Sequence, residues 1–414
     1  MNERSPVESL ADIRHEFGEH GGVNMSVEAS TTFTVMDPST IPEIFEGGKG
    51  PDEGGCYLYG RHYNPTVYNL ARQLAALEGS EAAYCTSSGM GAIAATFLQI
   101  CESGDHIVAS NTIYGGTYAL LHDFLPAKAG ITGTLVDIND LESVAKAITS
   151  DTRLIYAESF SNPMLRVANV PALARLAHGH GVKLVIDNTF SPLLMTPIEL
   201  GADIVVHSMT KFISGASDII AGAVCAEEKV IRGMMDVQMG PLMLFGPTMD
   251  PKVAFDLSLR LPHLSLRMAE HGRRAAIMAH ELDALGLDVI YPGLTHHPDH
   301  ELARHLCRHD YGFGGVLGLD VGSEEAANQL MERLQNGYRF GYMAVSLGFF
   351  DTLMSCSGSS TSSELTDADK AAAGISPGYI RLSIGYTGSL NQRLEQLRGA
   401  LADVGLIKSD PTPD

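Results

Sequence analysis

Positive charge is scarce in this chain. Its 414 residues carry 28 Lys and Arg against 49 Asp and Glu, a net charge of −21. That balance argues against nucleic acid and anionic membrane surfaces as general partners, because both are polyanions. Any phosphate the protein holds must therefore be held locally. Long apolar runs are missing too: none approaches the ~20 residues needed to span a bilayer, so a soluble protein is expected. Cysteine is sparse and scattered. Cys56, Cys85, Cys101, Cys225, Cys307 and Cys356 form no CxxC pair, which excludes a disulfide framework and, with no secretory leader, points to a reduced, cytoplasmic setting. No internal repeat is present.

What is present is an ordinary globular balance, 45% hydrophobic and 19% charged, with ample material for a core. The length exceeds the size at which one hydrophobic core stops growing, so two packed units plus extensions are expected. Residues 1–62, which include GGKGPDEGG, mix Gly, Pro and charge without a sustained period. They read as an arm with short elements. Residues 63–258 alternate helical stretches, near 65–78 and 88–102, with the short apolar runs HIVAS, ITGTLVDI, RLIYAES, KLVIDN, DIVVHS and IIAGAVC. Strands apolar on both faces and separated by helices imply an α/β unit, a mostly parallel sheet sandwiched by helices. Residues 259–414 read as a smaller α+β domain, with a charged helix over about 262–285, strands DVIYP, GGVLGLDV and YIRLSIGY, and a closing helix over about 388–404. SCSGSSTSSE reads as a mobile loop. THHPDH reads as a solvated loop, because Pro298 interrupts it and no helical i, i+4 pair of ligands is available. No metal is expected.

The stretch HSMTKFISGASDIIAGA, residues 207–223, sets a lysine among hydroxyls and small residues, with strand-like sequence on both sides. A lysine that only solubilises a surface rarely has such neighbours. KLVIDN delivers Asp187 to a strand end, and DIVVHS delivers Ser208, Thr210 and Lys211 to the same edge, where ligands bind in open α/β sheets. An isolated Asp and Lys would be read as a salt bridge or cap, but further features converge. Ser88, Gly89 and Met90 stand where a helix begins in CTSSGMGAIAATFLQ, a ready anion site. The hydroxyls of Ser208 and Thr210 suit a phosphate. Tyr114 follows the strand HIVAS and presents an aromatic ring. Together they suit a flat, phosphorylated, aldehyde-bearing aromatic cofactor, pyridoxal 5'-phosphate. Lys211 would join the aldehyde and later shuttle protons, its amine made neutral by desolvation. Asp187 would pair with the pyridine nitrogen, Tyr114 would stack on the ring, and the small residues 214–217 would let backbone approach the cofactor.

SMTKFISGASDIIAGA, IDNTFSP, CTSSGMGAI and YGRHYNPT resemble the corresponding segments of the cysteine and methionine metabolism family of fold-type I pyridoxal-phosphate enzymes. The likeness runs from YLYGRHYNPT through YIRLSIGY with its order kept. Within the family it is nearest the methionine-cleaving branch in its plant-type form. The resemblance implies that Tyr59 and Arg61 bind the cofactor phosphate of a neighbouring subunit, which would explain the arm, and that dimers pair into tetramers. It implies that Arg381 clamps the substrate carboxylate, aimed from a strand in which Ile380, Leu382 and Ile384 alternate with it, and that Asn162 and Ser346 hold the carboxylate and the cofactor's phenolic oxygen. Core hydrogen bonding is an equal reading for Ser346. Val345 stands where cystathionine-using relatives tend to carry a glutamate, so a methyl thioether is favoured. Gly116 stands where many bacterial relatives have a cysteine, which touches side-chain specificity alone. The implied activity is α,γ-elimination of L-methionine to methanethiol, ammonia and 2-oxobutanoate. O-acetylhomoserine sulfhydrylase, cystathionine γ-lyase and cystathionine γ-synthase remain alternatives on the same scaffold.

Overall fold

The structure, a computed structural model, describes residues 5–14, 17–45, 49, 57–356, 366, 370 and 373–408. Residues 357–364 of the Ser-rich stretch, and all of GGKGPDEGG except Lys49, lie outside the described residues.

Local chemistry sets the helix boundaries. In the helix Pro65–Glu78, Asn64 accepts the amides of Thr66 and Val67, proline occupies the first turn, and Gly79 closes the last turn at φ 68°. Its buried Leu70, Leu74 and Leu77 lie against the strand that follows. That strand, β1 (Ala82–Thr86), begins a seven-stranded sheet with β2 (His106–Ser110), β3 (Thr132–Val136), β4 (Thr152–Glu158), β5 (Lys183–Asp187), β6 (Ile204–Ser208) and β7 (Gly222–Ala226). The order is β1-β7-β6-β5-β4-β2-β3, and only β7 runs against its neighbours. Alternate residues feed two cores. Ile155, Ile186 and Val205 pack into one, while Tyr156, Val185 and Val206 pack into the other. Such double burial is why these strands read as continuous apolar runs rather than alternating ones. The carboxyl ends of β4, β5 and β6 open together at one edge.

The second sheet is five-stranded: β8 (Asp288–Ile290), β9 (Val316–Asp320), β10 (Gly341–Met343), β11 (Thr352–Cys356) and β12 (Tyr379–Ser383), in the order β10-β11-β12-β9-β8. It packs with the helices Leu264–Ala284 and Leu390–Asp403 around a separate apolar core. Strands β1, β10 and β11 escaped the sequence reading. AAYCT runs straight into the glycine-rich helix start, and the other two border turns rather than long apolar runs.

Part of the N-terminal region lies on its own chain. The helix Pro6–Ile13 packs on Pro65–Glu78, and Arg14 Nη1 donates to Gln73 Oε1 at 2.9 Å. THHPDH is only in part the solvated loop expected: Thr295, His296 and Pro298 are exposed, but His297 and Asp299 are buried. Asp299 is buried and accepts Arg166 Nε at 2.6 Å and the Val167 amide at 3.0 Å, while burial drives the His297 imidazole down to about 4. The segment is an ionic anchor to the large unit, because a buried aspartate needs paired donors. Among the described residues no group of side chains could hold a metal ion, and no helix is long and apolar enough to cross a membrane. The described cysteines are all free and buried.

Candidate active site

Strand β6 ends at Ser208, and the chain turns at once. The Lys211 amide donates to Ser208 O at 3.2 Å and the Gly215 amide to Lys211 O at 2.8 Å. The buried Arg267 guanidinium donates to the carbonyls of Phe212 and Ile213, which fixes the segment after the lysine. An added Cβ at Gly215 would collide with that guanidinium, and Ser214 Oγ accepts Arg260 Nη1 at 2.9 Å. The small residues 214–217 therefore make room for two arginines. They do not line the cavity, a correction to the idea that they bring backbone up to a cofactor.

Lys211 lines a cavity of about 240 Å³ at the strand ends. Asp187, Tyr114, Asn162 and Arg381 share its wall, as do Ser88, Gly89, Met90, Ser208 and Thr210. Residues far apart in sequence thus face one space, the arrangement expected of a ligand site. Lys211 Nζ donates to Ser346 Oγ at 3.0 Å. Burial, with the Arg381 charge adding to it, brings the lysine amine down to about 8. A neutral amine is consequently accessible close to physiological pH.

Part of the wall is acidic. Asp187 ends β5, where its Oδ1 accepts the Thr189 amide at 2.9 Å and its Oδ2 accepts the Tyr156 hydroxyl at 3.2 Å. Burial pushes this carboxyl up despite those donors, so a cationic partner inside the cavity is what would hold it ionised. Glu158 lines the same cavity from the end of β4, and it was missed in the sequence. The available signal was the pairing of patterns: RLIYAES and KLVIDN both close an apolar strand on an acid, and β4 and β5 place Glu158 beside Asp187.

An anion cradle closes the site. The helix Gly89–Ile100 is capped by Ser88, whose Oγ accepts the Gly91 amide at 3.0 Å. A Cβ at Gly89 would stand 2.7 Å from Ser208 Cβ, so only glycine lets this helix start approach the end of β6. Thr210 Oγ1 is fixed by the Ala221 amide at 3.0 Å. From the other unit, Arg381 is 3% exposed and donates to Asn162 Oδ1 at 2.8 Å and to Ser346 O at 3.1 Å. A lysine with a lowered amine, a buried acid facing the same space and a helix start set against hydroxyls are the groups that pyridoxal phosphate requires. The residues fit the group.

Tyr59 and Arg61 stand apart from this cavity. The Arg61 guanidinium lies 5.6 Å from the Tyr59 ring centroid and donates to Met243 O at 2.6 Å, and Tyr59 is 45% exposed. Tyr114, equally exposed, begins a helix at Gly115, and a Cβ at Gly116 would fall 2.6 Å from its Cε1. The absent side chain at 116 therefore sets where this ring can rest.

Residues 10–396 match the family profile described as Cys/Met metabolism PLP-dependent enzyme. The chain belongs to this family. It is 58% identical over 396 residues to a methionine gamma-lyase of Arabidopsis thaliana, covering 95% of this chain and 90% of that one. It is 36% identical to an L-methionine gamma-lyase of Fusobacterium nucleatum subsp. polymorphum, covering 93% and 95%. Among solved structures it is similar to cystathionine gamma synthase from Xanthomonas oryzae pv. oryzae, with a TM-score of 0.86 at 31% identity, covering 98% of this chain and all of that one. The protein is accordingly a pyridoxal-phosphate-dependent carbon–sulfur lyase of fold type I, a family member acting on a sulfur amino acid.

Proposed function

We propose that the protein catalyses α,γ-elimination of L-methionine, with water, to methanethiol, ammonia and 2-oxobutanoate. The observation that carries this reading is the Lys211 amine, facing one cavity with Asp187 and Arg381 in a chain 58% identical to a methionine gamma-lyase. When bound, pyridoxal phosphate would supply an electron sink beside the substrate Cα.

Asp187 would hold the proton on the ring nitrogen, and the first turn at Ser88–Met90, with Ser208 and Thr210, would hold the phosphate. Arg381, oriented by Asn162, clamps the substrate carboxylate. Lys211 would take the α-proton, return it to the bound cofactor and, neutral again, take a β-proton, roles that call for an amine neutral near pH 8. The Tyr114 hydroxyl gives its proton to the departing sulfur. Ser346 steadies the lysine amine. Val345, 69% exposed in the cavity wall, offers an apolar surface to a methyl thioether and no carboxylate for a distal ammonium.

Tyr59 and Arg61 are assigned to the cavity of a second copy, whose phosphate they complete, with dimers pairing into a tetramer. Free, buried cysteines are in keeping with a reducing cytoplasmic setting. Mass-spectrometric product identification from methionine, cystathionine and O-acetylhomoserine, side by side, tests the reaction. Methanethiol and 2-oxobutanoate from methionine are expected; products from cystathionine alone would overturn it.

A further inference from the structure

Glu158 has no part in the reaction sketched above, yet it stands in the cavity wall, 7% exposed. Burial and the neighbouring Asp187 push its carboxyl up to about 8. Two acids side by side in one buried wall repel, and a glutamine would fill the same volume without a charge. What a glutamine cannot supply is a second acceptor. Glu158 Oε1 accepts the Tyr114 amide at 2.7 Å and Oε2 accepts the Asn162 amide at 2.8 Å. Asn162 in turn receives Arg381 Nη1 on its side-chain oxygen. Tyr114 opens the helix Gly115–Ala119 with no side-chain cap of its own, and the Glu158 carboxyl fixes its amide.

Resting on the proposed reaction, we infer that Glu158 is a positioning residue: its two carboxyl oxygens tie the backbone of the tyrosine that faces the leaving group to the backbone of the asparagine that orients the carboxylate clamp. One side chain thereby sets the spacing between the two ends of the substrate. The geometry needs both acceptors, because the two amides lie on separate segments and neither is in a helix or strand ladder that would satisfy it.

The test compares Glu158→Gln with wild-type holoenzyme, using Glu158→Ala as the harsher variant. Glycine, which has no β or γ carbon to eliminate, is titrated against the cofactor absorbance. Methionine turnover is measured separately. Retained cofactor, about tenfold weaker glycine binding, and about a tenfold loss in kcat beyond the rise in KM are expected for Glu158→Gln, with larger losses for Glu158→Ala. Glycine binding and kcat both within about twofold of wild type would overturn the inference. So would a variant that loses only cofactor, its remaining holoenzyme binding glycine normally. A wild-type holoenzyme that binds glycine but releases no methanethiol would overturn the proposed reaction instead, leaving the glycine comparison to decide Glu158.

Discussion

The two sheets approach the cavity in different ways. The seven-stranded sheet contributes Glu158, Asp187, Ser208 and Lys211 at or just beyond strand ends, where parallel neighbours hold the backbone in register. The five-stranded sheet contributes Arg381 from the middle of β12, and a connecting segment that carries Val345 and Ser346. In the proposed reaction the first region supplies the proton-handling groups, and the second supplies the arginine and the apolar residue that meet the substrate's two ends. Acid–base groups with shifted affinities need burial and fixed neighbours, which a parallel sheet edge provides. Recognition of a side chain tolerates a loop, and Val345 is accordingly exposed.

That division can be broken by substitution. Lys211→Ala should abolish methanethiol release even with added pyridoxal phosphate, a loss of more than ~10⁴-fold, since amine and proton shuttle vanish together. Arg381→Ala should spare the cofactor's absorbance and raise KM, lowering kcat/KM by roughly 10²-fold, because the substrate carboxylate loses its charged partner. If Arg381→Ala reduced kcat as severely as Lys211→Ala, the assignment of separate roles to the two sheets would fall. Gly116→Ala should lower kcat by about tenfold, as its Cβ displaces the Tyr114 ring; unchanged kinetics would mean the ring is not held there.

Two milder effects sharpen the comparison. The Lys211 amine sits at about 8, so the rate at which apoprotein takes up pyridoxal phosphate, followed by absorbance, should climb with pH and level off above that value. A flat profile would remove the neutral-amine argument. In the smaller unit, Arg273 and then Arg274 hold Glu270 down to about 2, from an ordinary 4.5. Its stabilisation is complete above about pH 4.5 and disappears as pH falls toward 2. Exposure to solvent keeps the effect below ~1 kcal/mol, so Glu270→Gln should shift an acid-unfolding midpoint only slightly.

Much of the site was legible because the large sheet writes its chemistry at punctuation points. An apolar strand that ends on Asp187, and another that ends on Ser208 shortly before Lys211, announce an edge. Glu158 escaped because a single acid closing a strand is common, and only the pairing of β4 with β5 sets it beside Asp187. The run 214–217 misled for a related reason. Small residues leave space, but their order along the chain does not reveal that Arg260 and Arg267 fill it. Alternation within YIRLSIGY placed Arg381 on one face of its strand and the family resemblance gave its role, whereas its contact with Asn162 spans the two units and has no local signature.

By itself the sequence determined the α/β plan, the lysine, the acid on the neighbouring strand and the helix start that suits a phosphate, since each follows from local periodicity and residue chemistry. Only the tertiary structure decided which groups share the 240 Å³ cavity, that Tyr59 and Arg61 lie away from it in their own chain, and how far burial moves Lys211. Register, burial and dielectric depend on strands and helices distant in sequence, and they exist only once those elements have packed.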